Sequence, residues 1–145
     1  MEERIDSFIV PYAGEGDLLS DVRVIIDGAK SYAYSAVNAA LVQRNWLLGR
    51  RIAEEELKGR ERAHYGAELI KNLSSKLTEE YGKGFSYLDL YRCVRFYKLF
   101  PEFLSSLRTK SISLLSWTHF KVLLQVNSNE ARNWYTTEAE MMACV

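Results

Sequence analysis

The sequence predicts an all-α domain of five or six helices, with a long N-terminal helix and a helix-turn-helix-like motif at its centre. Three observations predict this class. Apolar residues recur every three or four positions along most of the chain, which is the period of an amphipathic helix. Only two of the 145 residues are proline, and the hydrophobic content of 48% is sufficient for a core. Stretches that alternate apolar and polar residues, as half-buried strands do, are few.

The same patterns indicate how the domain is organised. Residues 1–16 combine a short apolar stretch with Pro11, Gly14 and Gly16. We expect them to form an N-terminal arm that packs loosely or is disordered. From residue 17 to residue 145 the helical pattern continues, and this length suits one helical domain.

The long helix is predicted over residues 17–57. Apolar and small residues step along it by four and three positions alternately, as in a coiled-coil seam: Val22, Ile26, Ala29, Ala33, Ala36 and Ala40. An unbroken helix of this length would extend about 60 Å, whereas a compact chain of this size is only about 38 Å across. Two interpretations follow. Either the helix breaks at Gly28 or Gly49, or its seam pairs with a second copy in a homodimer.

The central motif is predicted over residues 64–101 as helix, tight turn and helix. The first helix carries an apolar residue every four positions: Tyr65, Leu69, Leu73, Leu77 and Tyr81. Gly82 and Gly84 follow, and glycine takes positive φ at no steric cost. Ser86 and Asp89 have the spacing of a capping box that begins the second helix, and Pro101 ends it. Two helices joined in this way match the helix-turn-helix geometry.

A basic row is predicted on the outer face of the second helix, where Arg92, Arg95 and Lys98 repeat every three residues. If this is a recognition helix, the row contacts double-stranded DNA. Further candidate DNA contacts are Lys83 in the turn and, beyond the helix, Arg108 and Lys110. Residues 90–125 contain six basic residues and one acidic residue, which favours an anionic partner. The alternative is an ordinary helical corner with a solvated basic face. The zero net charge argues against an indiscriminate nucleic-acid binder.

The remaining patterns predict the core and two further helix starts. Ser116 and Asn127 are the expected N-caps of the last two helices. The predicted core comprises Trp46, Leu69, Leu73, Leu77, Leu90, Phe96 or Tyr97, Trp117 and Leu123.

Catalytic chemistry is not predicted anywhere in the chain. The two histidines, His64 and His119, form no zinc-type cluster with cysteine. The sequence has no Walker loop and no G-x-S-x-G elbow. We therefore expect no catalytic or metal site, no cofactor, no small-molecule ligand and no enzyme activity.

The cellular environment is predicted from what the sequence contains and lacks. Cys93 and Cys144 are too few for a disulfide framework, which fits a reducing cytoplasm. There is no signal-peptide pattern and no apolar run of membrane-spanning length. A cytoplasmic protein without a membrane partner is therefore expected.

Four segments, in this order, resemble a known family: residues 46–52, residues 77–86, residues 95–97 with 100–101, and residues 115–119 leading to 130–135. They resemble the N-terminal domain of the YhcG family, domain of unknown function 1016, whose members are predicted PD-(D/E)xK nucleases of bacteria. The resemblance implies a helical domain with a DNA-binding or assembly role, placed ahead of a nuclease domain.

This chain departs from the family pattern in one large respect. Pro-Asp, which begins the nuclease motif, does not occur, so we expect no nuclease domain here, whether the chain is a fragment or a stand-alone protein. Two function hypotheses result. The first is a non-catalytic DNA-binding module. The alternative is a protein-interaction or dimerisation module with no direct DNA contact.

Overall fold

The computed structural model describes residues 10, 12, 14, 16–59, 65–103 and 115–143. Within these residues the regular secondary structure is α-helical throughout. In chain order the helices are α1 (Leu18–Lys58), α2 (Tyr65–Tyr81), α3 (Tyr87–Leu99), α4 (Trp117–Leu123) and α5 (Asn129–Ala143). The prediction of an all-α chain with a long N-terminal helix is confirmed.

The chain forms two compact units, the first ending at Asn38 and the second beginning at Ala39. Helix α1 contributes to both, and its 41 residues give it a length of about 60 Å. The helix is continuous through Gly28 and Gly49, so the interpretation in which it breaks at a glycine is wrong. In the first unit, every residue from 18 to 38 is exposed except Asp21 and Gly28, which are half-buried.

The second unit contains two clusters of buried apolar side chains. In the larger cluster Phe96 is fully buried, and its ring centroid lies 4.6 Å from that of Phe120 and 5.1 Å from that of Phe103. Trp46 joins α1 to this cluster, because its Nε1 donates a 2.8 Å hydrogen bond to the carbonyl oxygen of Phe100 at the end of α3. One indole thus fills the core and satisfies a helix-terminal carbonyl.

The smaller cluster joins α1, α2 and the beginning of α3. Its buried members are Ile52, Ala53, Ile70, Leu90 and Val94. Of the predicted core, Trp46, Leu90, Phe96 and Leu123 are buried, whereas the others pack half-buried against one of the two clusters: Leu69, Leu73, Leu77, Tyr97 and Trp117.

Gly49 marks the closest approach of α1 to α3. A Cβ atom at this position would lie 1.9 Å from the carbonyl oxygen of Cys93 and 3.0 Å from the backbone nitrogen of Val94. Only a hydrogen atom fits in this space. Glycine is therefore required here because two helix backbones touch, and not because the helix ends.

The turn between α2 and α3 has the predicted chemistry. Gly82 and Gly84 both have positive φ, +84° and +109°. Ser86 caps α3 in a reciprocal box, in which the Asp89 N–H donates to Ser86 Oγ at 3.1 Å and the Ser86 N–H donates to Asp89 Oδ2 at 3.2 Å. Ser74 Oγ donates to the Phe85 carbonyl at 2.7 Å. These bonds fix the start of α3 relative to α2.

The last two helices begin at or near the predicted caps. Ser116 is the N-cap of α4, and its N–H donates to His119 Nδ1 at 3.0 Å. Asn127, the predicted cap of α5, is one residue too early. Ser128 takes that role, since its Oγ accepts from the Ala131 N–H at 3.3 Å. The shorter serine side chain, next to the first helical residue, reaches the unpaired N–H group.

Candidate functional site

An exposed apolar seam along α1 is the first candidate site. It consists of the six predicted positions Val22, Ile26, Ala29, Ala33, Ala36 and Ala40. All six are exposed, with Val22 at 40% and Ile26 at 58% of full accessibility. Ile25 and Tyr32, seven residues apart beside the seam, are also exposed. The seam therefore presents apolar surface that the described part of the chain does not cover.

The seam positions of α1 differ from the positions that α1 buries. Continued beyond Ala40 by seven residues, they arrive at Leu47, which is 48% exposed. Its neighbour Trp46 is only 3% exposed, and Val42 and Gly49 are also buried. The residues that α1 packs into the core are thus a different set from the seam.

The basic residues of α3 are the second candidate site. Lys98 is exposed, and its Nζ lies 3.6 Å from Glu56 Oε2. Arg92 is half-buried, with its Nη1 3.9 Å from Asp89 Oδ1. Exposed ion pairs of this kind contribute little stability and exchange readily with other partners. Both cations therefore remain accessible to an external anion.

Arg95 differs from the predicted outward orientation. It is half-buried, and its Nε donates a 2.8 Å hydrogen bond to the carbonyl oxygen of Leu124, just past the end of α4. This bond joins α3 to the terminus of another helix, where carbonyl groups lack helical partners. Arg95 thus has a structural role that the three-residue spacing alone did not indicate.

Arg132 is a buried cation that the sequence analysis missed. It is 4% exposed, and its Nη2 and Nη1 donate 2.6 Å hydrogen bonds to Val126 O and Asn129 Oδ1. Desolvation, followed by the positive charge of Arg95, lowers the pKa of Arg132. A single arginine on an otherwise polar helix face carries no sequence signal for burial. Its two hydrogen bonds hold the segment that connects α4 to α5.

The other predicted DNA contacts fall in different places. Lys83 is exposed in the turn before α3. Arg108 and Lys110 lie outside the described residues, as does most of the predicted N-terminal arm. Three of the predicted DNA contacts therefore remain accessible: Lys83 in the turn, and Arg92 and Lys98 on α3.

Groups with catalytic potential have structural roles in the described chain. Burial raises the pKa of the Cys93 thiol to about 12, so the thiol is protonated at neutral pH. His119 Nδ1 accepts the N–H at the start of α4. In the described residues no three His, Cys, Asp or Glu side chains lie close enough to hold a metal ion. Among the same residues, no helix has the length and hydropathy needed to cross a membrane.

Comparison with known proteins identifies the family. Residues 21–143 match the DUF1016 N-terminal domain. A relative described as "Putative nuclease YhcG", from Escherichia coli (strain K12), is 37% identical over 90 residues. The alignment covers 62% of this chain and 24% of that protein, so the matched region is about a quarter of the relative's length. No solved structure matches the chain. Because the family match extends over most of its length, this chain belongs to the DUF1016 N-terminal domain family.

Proposed function

We propose that this chain is a non-catalytic helical module that self-associates through the apolar seam of α1. The observation that supports the proposal is the exposure of all six seam positions, whereas the residues that α1 buries, among them Val42, Trp46 and Ile52, lie outside the seam. Removing apolar surface from water contributes about 25 cal/mol of favourable free energy for each Å² that is buried. Contiguous exposed apolar surface of this kind marks interaction sites.

A second copy of the chain is the partner that fits the seam. Alternate steps of four and three residues are the pattern with which one helix packs along another in a coiled coil. The seam contains no charged residue, and its four alanines allow two backbones to approach closely. A second copy presents the same uncharged seam with the same spacing. A two-fold homodimer, the commonest symmetric assembly, satisfies both surfaces at once.

The proposed consequence concerns a larger protein. The relative described as "Putative nuclease YhcG" extends well beyond the region that aligns with this chain. In such a protein, pairing through α1 would bring two copies of the adjoining part together. Assembly of a nuclease-like protein is therefore the role that we assign to the seam.

Two glutamate substitutions on neighbouring residues test this proposal. Ala36→Glu places a charge in the seam, whereas Ser35→Glu places the same charge on an adjacent exposed position outside it. Burying an unpaired carboxylate against an apolar surface is strongly unfavourable. By analytical ultracentrifugation, Ala36→Glu is expected to sediment as a 16.7 kDa monomer, and Ser35→Glu as a species of twice that mass, like the wild type.

One result of this experiment would contradict pairing through the seam. If Ala36→Glu and Ser35→Glu associate to the same extent, the seam is not the interface. Circular dichroism of both variants is the control for folding, because the two substitutions should leave the helical content alike.

DNA binding by the turn and α3 is the second candidate function. Its support is the accessible set of Lys83, Arg92 and Lys98 at the turn and on the helix that follows it. Each phosphate contact contributes about 0.9 to the slope of log affinity against log salt concentration. Three contacts should therefore give a slope of about −3, which corresponds to weak binding.

The test compares two lysines that are matched in exposure and pairing. Lys98 and Lys58 have side chains that are 58% and 70% exposed, and each lies within 4 Å of a glutamate. Lys98→Gln should reduce the salt slope for duplex DNA by about one unit, and Lys58→Gln should not change it. Equal slopes for the two variants, or no binding of the wild type at low salt, would end this candidate. Arg95→Glu is a poorer test, because it also removes the bond to Leu124 O.

A further inference from the structure

A small polar cleft lies in the second unit where α1, the α2–α3 turn and α4 meet. Its volume is about 220 Å³. The lining residues that matter here are Arg44, Asn45, Gly84, Asp89, Trp117 and Lys121. This volume is smaller than the roughly 300–1,000 Å³ of sites for drug-sized ligands. The cleft therefore suits one small polar group.

Asn45 is the unusual member of the lining. It is only 4% exposed, and its Oδ1 accepts two hydrogen bonds from the Arg44 guanidinium, at 3.1 Å from Nε and 2.9 Å from Nη2. These bonds fix the orientation of the amide, so that Oδ1 faces Arg44 and Nδ2 does not. Nδ2 has no hydrogen-bond partner among the described residues. An amide N–H group that no described residue accepts from can donate to a ligand that enters the cleft.

The charges of the lining favour an anion. Arg44 and Lys121 contribute two positive charges, and Lys121 takes part in no ion pair with any residue that the structure describes. The opposing carboxylate of Asp89 is already engaged. Its Oδ2 accepts from Ser86 N and Oγ, and its Oδ1 faces Arg92. The groups left for a ligand are two cations and one amide donor.

We propose that this cleft binds a single phosphate group, held by Lys121, Arg44 and the Nδ2 of Asn45. Two cations and one amide N–H group suit a phosphate, which has several oxygens that accept hydrogen bonds. The group has two possible sources, inorganic phosphate and the backbone of duplex DNA. Only the second source rests on the DNA-binding candidate.

The experiment is a titration of the ¹⁵N-labelled chain with inorganic phosphate at constant ionic strength, with chloride as the replaced anion. The side-chain amide resonances of Asn45 should shift and saturate. Lys121→Gln should weaken phosphate binding at least tenfold, which is the effect of removing one charged hydrogen bond. Lys76→Gln, on the exposed surface of α2, is the matched control and should bind as the wild type does. Lys121 is half-buried and outside both core clusters, so its variant is expected to fold.

A second titration with a short duplex DNA identifies the source. If the duplex shifts the same Asn45 resonances and Lys121→Gln weakens it, the phosphate is that of the DNA backbone. If inorganic phosphate binds in this way and the duplex leaves the Asn45 resonances unmoved, the cleft binds inorganic phosphate and does not contact DNA. Unmoved Asn45 resonances with both ligands, or equal weakening by Lys121→Gln and Lys76→Gln, overturn the inference. The DNA candidate is then decided separately by Lys98→Gln and Lys58→Gln.

Discussion

The two halves of α1 are built from similar residues but have opposite surroundings. Between residues 18 and 38 the helix is exposed on its apolar and polar faces alike. Between residues 39 and 58 it buries Val42, Asn45, Trp46, Gly49, Ile52 and Ala53. Apolar periodicity is present in both halves and predicts a helix in both. Periodicity therefore identifies which face of a helix is apolar, but not whether the same chain covers that face.

Adjacent residues Trp46 and Leu47 offer the largest expected effect. Trp46 is 3% exposed and donates to Phe100 O, whereas Leu47 is 48% exposed. Trp46→Ala should lower the free energy of unfolding by about 3–5 kcal/mol through loss of packing and of the hydrogen bond. Leu47→Ala should change it by no more than about 0.5 kcal/mol. Urea denaturation below the concentration of association measures both, and comparable losses would contradict the division of α1 into covered and uncovered faces.

The glycines of α1 give the second contrast. A Cβ at Gly49 would overlap the carbonyl oxygen of Cys93, so Gly49→Ala should destabilise the fold by about 3 kcal/mol, at the upper end of the usual range for overpacking. Gly28 lies in the exposed half of the helix. Gly28→Ala should stabilise the helix by roughly 0.5–1 kcal/mol, because alanine loses less backbone entropy. Thermal denaturation of the two variants should give shifts of opposite sign. Shifts of the same sign would show that the two halves are packed alike.

The α2–α3 turn depends on backbone conformation and not on burial. Gly84 has φ of +109°, and no atom lies within 4 Å of a Cβ built there. Gly84→Val should therefore cost about 1–3 kcal/mol through backbone strain alone. The loss should appear in the denaturation of the second unit. An unchanged midpoint of denaturation would mean that the turn adopts an ordinary conformation in solution.

The smallest expected effect is at the first turn of α1. The Ser20 N–H donates to Asp17 Oδ1 at 2.7 Å, and this bond lowers the pKa of Asp17 below its ordinary value of 3.8. Because the folded pKa is the lower one, the contribution of the cap is fully present above pH 3.8 and is lost as the pH falls through the lowered value. The Ser20 amide resonance should titrate with a midpoint below 3.8. A midpoint at or above 3.8 would show that the cap does not form.

Much of the fold could be predicted because it depends on local chemistry. Ser86 and Asp89 formed the predicted capping box, and both glycines of the turn have positive φ. The core positions of Trp46 and Phe96 follow from the period of the helix. These features need only residues that are near in sequence.

Features that depend on the meeting of distant residues could not be predicted. Gly49 looked like a helix break because its contact with the Cys93 backbone is 44 positions away. Arg95 looked like a surface cation because its acceptor, Leu124 O, belongs to a different helix. The unpartnered amide of Asn45 became visible only when the turn and α4 were placed beside α1. The residues of the α1 seam and of the basic row on α3 could thus be predicted from the sequence. Their exposure and contacts are known only from the structure.

The proposed homodimer covers the seam of α1 with a second copy of the chain. Light scattering of the wild type over a dilution series measures this most directly, since it gives the mass in solution without any substitution. If the seam pairs in this way, the mass is twice 16.7 kDa at high concentration and falls towards 16.7 kDa on dilution. A mass of 16.7 kDa at every concentration would contradict it.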